Sequence, residues 1–305
     1  MAAKRILQPS IRGIVPLRTE RESIGSTTTI AVRVTTSMGK PGVTIVVPCF
    51  NEEPVLPYLR DRLHGVRQFL GKRYEVHLLL ADDGSTDNTW QVMSQLFEGA
   101  PNCTLFRQPK NLGVAATILA GIRRAKTEIV CSIDCDCSYD PHELGRLVPM
   151  LTSGVDLVTG SPYHPLGRVV DVPRWRLVLS KTASSLYRHV LRHKLYTYTS
   201  CFRVYRRSAI LNLDLRRNGF LGIAELIGKL DLQGSMIREC PTSLETRARG
   251  TSKMKITRVL VGHLFLMSQL LAVRGHRKLF VRRPTDSEST KSEEKRGATT
   301  DWAQY

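Results

Sequence analysis

Short apolar runs alternate with amphipathic stretches through most of the chain. Val43–Pro48 (VTIVVP) is a continuous apolar run ended by a breaker, the pattern of a parallel strand buried on both faces. Pro54 to Leu70 reads as a helix, since proline suits a first helical turn. Glu75–Ala81 (EVHLLLA) predicts a second strand, and Asp87–Glu98 a second helix with Asp87 as its cap. Cys103–Arg107, Gly113–Ala125 and Glu128–Ile133 continue as strand, helix and strand. A helix from Pro141 and a strand at Val155–Thr159 extend the series. Such alternation implies right-handed crossovers and a mostly parallel, Rossmann-like α/β sheet with flanking helices. Val172–Leu191 then reads as a basic amphipathic helix, and Ile256–Val273 as a second, more apolar one.

Four segments follow from this pattern. Residues 1–40, with seven Lys or Arg against two Glu, are expected as a basic flexible arm. Residues 41–255 are expected as the main folded domain, 256–280 as a C-terminal amphipathic helix, and 281–305 as a disordered Ser-, Thr-, Glu- and Lys-rich tail.

Composition narrows the class. The 42% apolar and 24% charged fractions are ordinary for a globular chain and exclude collagen-like, disordered and disulfide-scaffold proteins. A net charge of +18 calls for an anionic partner: nucleic acid, an anionic membrane surface or a phosphorylated substrate. Seven cysteines, an odd number mostly inside apolar runs, suit a buried, reduced, intracellular set. Residues 1–40 hold no apolar run of seven, so no signal peptide is expected. No run reaches the ~18 apolar residues of a membrane-spanning helix. The nearest, Val259–Val273, carries His263, Ser268 and Gln269 and suits lying on a bilayer.

In a parallel sheet the ligand sits at the carboxyl ends of the strands. Here those ends are Pro48-Cys49-Phe50-Asn51-Glu52-Glu53, Asp82-Asp83-Gly84-Ser85-Thr86-Asp87 and Asp134-Cys135-Asp136-Cys137-Ser138-Tyr139-Asp140. Three acidic turns in a strongly basic chain repel one another unless a cation or hydrogen-bond donors offset them. Cys131, Cys135, Cys137 and His142 invite a zinc reading, but their spacing lacks the paired knuckles of structural zinc sites, and core or pocket-wall cysteines are favoured. Neither G-x-G-x-x-G nor a P-loop is present, which disfavours a dinucleotide enzyme or an ATPase.

These turns resemble the motifs of family 2 glycosyltransferases of the GT-A fold, in the dolichyl-phosphate mannose synthase-like branch. VVPCFNEE, ADDGSTDNT, NLGVAATILAGIRRA, SIDCDCSYDP, GSPY, SCFRVYRR and RARGTSK are similar, in order, to seven of its motifs across about residues 42–255. The resemblance implies inverting, metal-dependent transfer from a nucleotide sugar, GDP-mannose or a UDP-sugar, to a polyprenyl phosphate. Mg²⁺ or Mn²⁺ would sit on Asp136, with Asp134 facing the ribose or a metal-bound water. Pro48, Phe50, Glu52, and Asp82 or Asp83 would line the nucleoside pocket. Arg249 and Lys253 would lie on a mobile loop over the diphosphate. Arg176 and Ser180, similar to the branch's R-x-x-x-S, would hold the acceptor phosphate with Arg203 nearby.

The chain departs from the branch mainly on the acceptor side. Pro162 stands where G-S-R-Y has its arginine, Cys201 where S-G-F-R has its glycine, and Thr197 where an Asp commonly precedes that motif. Ser138 stands where an amide would be a further metal ligand. An alternative therefore keeps the donor chemistry and gives the enzyme a hydroxyl acceptor, a glycan or small metabolite, with Glu225 as base. Between Pro165 and Arg207 there are ten Lys or Arg and one Asp, which suits the inner, cytoplasmic face of an anionic membrane. For the Ile256–Val273 helix a homo-oligomer interface competes with membrane contact. A nucleic-acid partner is disfavoured, because no aromatic-interleaved RNA motif or zinc finger accompanies the charge.

Overall fold

The computed structural model describes residues 39–245 and 256–280, and of Arg176, 256–259 and 275–280 the backbone alone. The basic arm up to residue 38, the segment 246–255 with Arg249 and Lys253, and the tail 281–305 lie outside the described residues.

The apolar run after Pro41 forms β1 (Gly42–Cys49), buried along nearly its whole length. Its alternation feeds two cores: Val43, Ile45, Val47 and Cys49 face one side, and Val46 the other. Next come α1 (Leu56–Leu70), β2 (Glu75–Asp82), α2 (Thr89–Phe97), β3 (Cys103–Arg107), α3 (Val114–Arg124) and β4 (Ile129–Ser132). The element expected at Pro54 enters through a 3₁₀ turn, Glu53–Val55, before α1. At Pro141 a 3₁₀ turn leads into the four-residue α4 (Leu144–Leu147). A further 3₁₀ turn containing Pro149 follows, and that proline cannot donate a helical N–H.

The second half comprises β5 (Leu157–Ser161), β6 (Arg168–Val170), α5 (Arg174–Val190), β7 (Arg203–Arg206) and α6 (Arg207–Ile210). It continues with α7 (Gly219–Gln233), β8 (Ile237–Pro241), β9 (Ser243–Glu245) and α8 (Ile256–Phe280). The main sheet has seven strands in the order β3-β2-β1-β4-β7-β5-β8. All neighbours run parallel except β7, which is antiparallel to both β4 and β5. β6 and β9 pair as a separate parallel ribbon. One core lies under α1, α2 and α4, and the other under α3, α5, α7 and α8.

This order positions the site. β2, β1 and β4 are adjacent, so their three acidic carboxyl ends meet at one edge. Because β7 is reversed, the residues that precede it (Thr197–Phe202) arrive at that same edge, beside the Ser161-Pro162-Tyr163 end of β5. Strand length and packing alone would not reveal this reversal.

Candidate active site at the carboxyl edge of the sheet

The first two turns are stitched together by side chains. Asn51, in the left-handed region (φ 54°), donates its N–H to Ser85 Oγ (3.0 Å) and accepts the Thr86 N–H on its Oδ1 (2.9 Å). The Glu52 N–H donates to Thr89 Oγ1 (2.8 Å). Thr89 in turn donates to Asp87 Oδ1 (N–H, 3.0 Å), so Asp87 caps α2 from two residues upstream. Gly84 has φ +69°, and a Cβ there would lie 2.5 Å from the Lys110 backbone. The turn therefore needs glycine on both counts.

Asp82 and Asp83 divide the work of shaping the edge. Asp82 is fully buried; it accepts the Ser85 N–H (3.0 Å) and pairs with Arg107 Nε (2.8 Å), its register partner on β3. Asp83 accepts the N–H groups of Leu112 (2.9 Å) and Gly113 (2.8 Å), anchoring the entrance to α3. Pro48 is buried, while Phe50 is 41% exposed at the end of β1 and presents a ring to the edge. Arg107 is not among the expected site residues, since only the strand order reveals its partner.

The third turn carries the D-x-D pair. Asp136 is buried, and its Oδ1 accepts both the Ser138 N–H (3.0 Å) and the Ser138 hydroxyl (2.7 Å). Asp134 is half-buried, and its carbonyl accepts the Cys137 N–H (3.1 Å), with Cys137 left-handed (φ 51°). Such left-handed non-glycine residues concentrate at functional turns. The local field is negative: Cys137 is pushed up to about 12 by burial, with Arg62 opposing and Asp136 and Asp134 adding to it. The Cys135 thiol is raised first by its hydrogen bond to Cys49, then by burial, with Glu52 and Asp136 contributing. Cys201 is raised by burial and next by Asp134, to which its thiol hydrogen-bonds. Continuing the β4–β7 register past Ser132↔Arg203 brings Cys201 opposite Asp134, so this departure from the family's glycine faces the D-x-D turn. Tyr139 stacks on Phe202 (centroids 5.2 Å apart), packing the two segments together.

All seven cysteines are free, five of them buried. Cys131 lies in the core, and His142 bonds Asp140 (3.0 Å) and packs against Phe69. Among the described residues no group of three or more His, Cys, Asp and Glu could hold a metal ion. Two alternate carboxylates on one turn suit a hard divalent cation whose remaining ligands are water and a substrate diphosphate.

On the other half of the edge, hydroxyls gather. Ser180 Oγ lies 3.3 Å from Thr199 Oγ1, and the half-buried Tyr163 hydrogen-bonds to Ser180. Burial raises the Tyr163 phenol while Ser180 opposes it. Ser161 and Thr197 pair at 2.8 Å, and Glu239 fixes the N–H groups of Tyr196 and Thr197. Arg176 sits one turn before Ser180 on α5. Arg203 lies deeper: it is fully buried, and its guanidinium donates to the carbonyls of Ile223 (3.0 Å) and Tyr198 (2.7 Å). It ties β7 to α7 from behind this hydroxyl-lined wall.

Glu225 is also internal. Its carboxylate accepts the N–H groups of Arg216 (3.0 Å) and Arg217 (2.8 Å) and pairs with Lys229 Nζ (2.8 Å). Three donors thus occupy its oxygens and tie it to the loop before α7 and to the helix itself. Glu245 N–H donates to the Ser138 carbonyl (2.9 Å), which holds the end of β9 against the D-x-D turn.

Comparison with known proteins agrees with this geometry. Residues 44–213 match the family described as Glycosyl transferase family 2. The chain is 33% identical over 218 residues to the polyprenol monophosphomannose synthase of Mycolicibacterium smegmatis, covering 69% of this chain and 80% of that one. It is 28% identical over 215 residues to the dolichol-phosphate mannosyltransferase of Pyrococcus furiosus, covering 70% of this chain and 59% of that one. The glucosyl-3-phosphoglycerate synthase of Mycobacterium tuberculosis, solved with Mn²⁺, UDP and glucosyl-3-phosphoglycerate, shares the fold at a TM-score of 0.57 and 18% identity, over 77% of this chain and 80% of that one. With three acidic turns converging on one edge of a GT-A sheet, this chain belongs to glycosyl transferase family 2, in its dolichyl-phosphate mannose synthase-like branch, and is a glycosyltransferase.

Proposed function

We propose that the enzyme transfers a hexose, with inversion, from a nucleoside diphosphate sugar, GDP-mannose or a UDP-sugar, to a membrane-borne polyprenyl phosphate. The observation that carries this reading is the state of Glu225. A hydroxyl acceptor needs a base, whereas Glu225 is spent on three internal donors. A phosphate acceptor arrives already anionic. One of its oxygens attacks C1 of the sugar, the bond from C1 to the diphosphate breaks, and the nucleoside diphosphate leaves with the electron pair.

The donor base would lie against Pro48, Phe50 and Glu52, on the edge that Asp82 and Asp83 shape. Asp136, with Asp134, would hold Mg²⁺ or Mn²⁺; the structural neighbour was solved with Mn²⁺ and UDP. When bound, that ion neutralises charge developing on the diphosphate. Arg249 and Lys253 would supply cations that stabilise the departing diphosphate. Arg176 and Ser180 would hold the acceptor phosphate through a guanidinium fork and a hydroxyl, with Arg203 bracing the wall behind. The exposed Trp175 and Val178 of α5, among basic residues, favour peripheral contact with the inner face of an anionic membrane. Among the described residues no helix is long and apolar enough to cross one. The named synthases of Mycolicibacterium and Pyrococcus support the lipid-phosphate class.

The test is a pair of variants assayed with labelled nucleotide sugars, Mn²⁺ and extracted polyprenyl phosphates. Arg176→Ala should cripple transfer while Glu225→Gln leaves turnover largely intact. The reverse pattern would assign a hydroxyl acceptor.

A further inference from the structure

We propose that Lys181 is an acceptor-binding residue, supplying from α5 the phosphate-facing cation that Pro162 cannot supply from the end of β5. The proposal rests on the reading that a lipid phosphate is held at Arg176 and Ser180, and it identifies a further contact of that site.

Three observations meet here. Position 162 follows the last residue of β5 at the functional edge, and a proline there has no donor to offer. Its neighbour Tyr163 hydrogen-bonds to Ser180, so the β5 end and the α5 face share one wall. Lys181 is the next residue on α5, and its Nζ lies 5.7 Å from the Tyr163 ring centroid. The ammonium is thus parked over the residue that follows the missing side chain. Lys181 is exposed, and among the described residues it pairs with no carboxylate. A cation over an aromatic face is weakly held and readily exchanged for a full anionic partner. Lysine suits such a duty, as a compact charge on a flexible stem that binds phosphate without a fixed fork.

The placement has a consequence for specificity. Arg176, Ser180 and Lys181 all lie within two turns of α5, whereas G-S-R-Y has its arginine just past the end of β5. Moving the cation onto the helix gathers the phosphate donors on the element that also carries Trp175 and Val178 outward. A phosphate at the head of a lipid can then be read from the surface that meets the bilayer.

The proposal can be tested by calorimetric titration with citronellyl phosphate, a short water-soluble isoprenoid phosphate, and with citronellol as the neutral control. Lys181→Gln should weaken citronellyl phosphate binding by about tenfold, the loss of one charge-assisted hydrogen bond, and leave citronellol binding unchanged. Lys181→Arg should retain most of the affinity. Adding Pro162→Arg to Lys181→Gln should restore it, because the cation then returns from the sheet side. A structural role for Lys181 would not be rescued in this way. If Lys181→Gln binds within about twofold of the native protein while Arg176→Ala loses binding, Lys181 has no part in the site and the acceptor assignment stands. If the native protein binds citronellyl phosphate no better than citronellol, the acceptor assignment itself fails, and the proposal with it.

Discussion

Two carboxylates separate structural from chemical duty in this chain. Glu225 is buried and holds the loop before α7 through the Arg216 and Arg217 N–H groups and Lys229. Glu225→Gln keeps the shape but loses the charge, so stability should fall by about 1–3 kcal/mol in a urea titration while kcat changes little. Glu225→Ala also strips the Arg216 and Arg217 N–H groups of their acceptor and should cost about 3–5 kcal/mol, enough to threaten folding. Asp136 is expected to behave in the opposite way. Its Oδ1 accepts the Ser138 N–H and hydroxyl, and an amide oxygen can accept the same hydrogen bonds. Asp136→Asn should therefore remain folded, with a stability change of about 1 kcal/mol, yet lose Mn²⁺-dependent binding of the nucleoside diphosphate in calorimetry. Tight, metal-independent nucleotide binding in that variant would remove Asp136 from the donor site.

Among the elements, α8 carries a buried polar pair within an apolar seam. His263, Leu266, Met267 and Leu270 turn inward, and His263 Nδ1 meets Tyr187 Oη at 2.8 Å. Burial holds the His263 imidazole below its ordinary pKa. The sign follows from linkage: below about pH 6.5 the unfolded chain takes up a proton that the folded chain resists, so this contribution is complete above that pH and is lost as pH falls. His263→Gln, which can still bond Tyr187 but does not titrate, should flatten the fall in melting temperature between about pH 7.5 and 5.5. An unchanged slope would mean that other groups control the acid limb. The opposite face of α8 carries Val261, Leu264, Phe265 and Leu271 to exposure, in contrast to the basic exposed face of α5.

Across the whole molecule the charge is distributed against its own site. The chain carries a net +18, yet its functional edge is built from Asp82, Asp83, Asp134 and Asp136. Long-range attraction of phosphates and anionic lipids then coexists with a local demand for a divalent cation. Binding to phosphatidylglycerol vesicles, followed by co-sedimentation, should weaken as salt rises from about 0.05 to about 0.5 M, since exposed charges are screened over a few ångströms at the higher value. Retention that ignores salt but falls with Val261→Asp and Phe265→Asp would show apolar insertion of α8 to be the dominant contact. Either result keeps the protein at the bilayer; no sedimentation with anionic vesicles would remove it from the membrane.

The alternation of apolar runs with breakers was sufficient for β1, β2, β3 and β4 and their helices, because strand burial and helix periodicity are local properties of the chain. The three acidic turns were legible for the same reason: each sits where an apolar run ends. The four-residue β7, with its mixed RVYR pattern, offered no such period, and its reversal depends on which strands border the gap between β4 and β5. That reversal brings Thr199 and Cys201 to the site and turns Arg203 inward. Pair formation was equally out of reach. Arg107 with Asp82, Glu225 with Lys229 and the 216–217 backbone, and Lys181 over Tyr163 each join residues whose proximity is set by sheet order or helix packing. Side-chain type and spacing therefore determined which chemistry the chain carries. Only the tertiary structure decided which carboxylates and cations are consumed in holding the fold, because burial and hydrogen-bond partners are properties of neighbours in space.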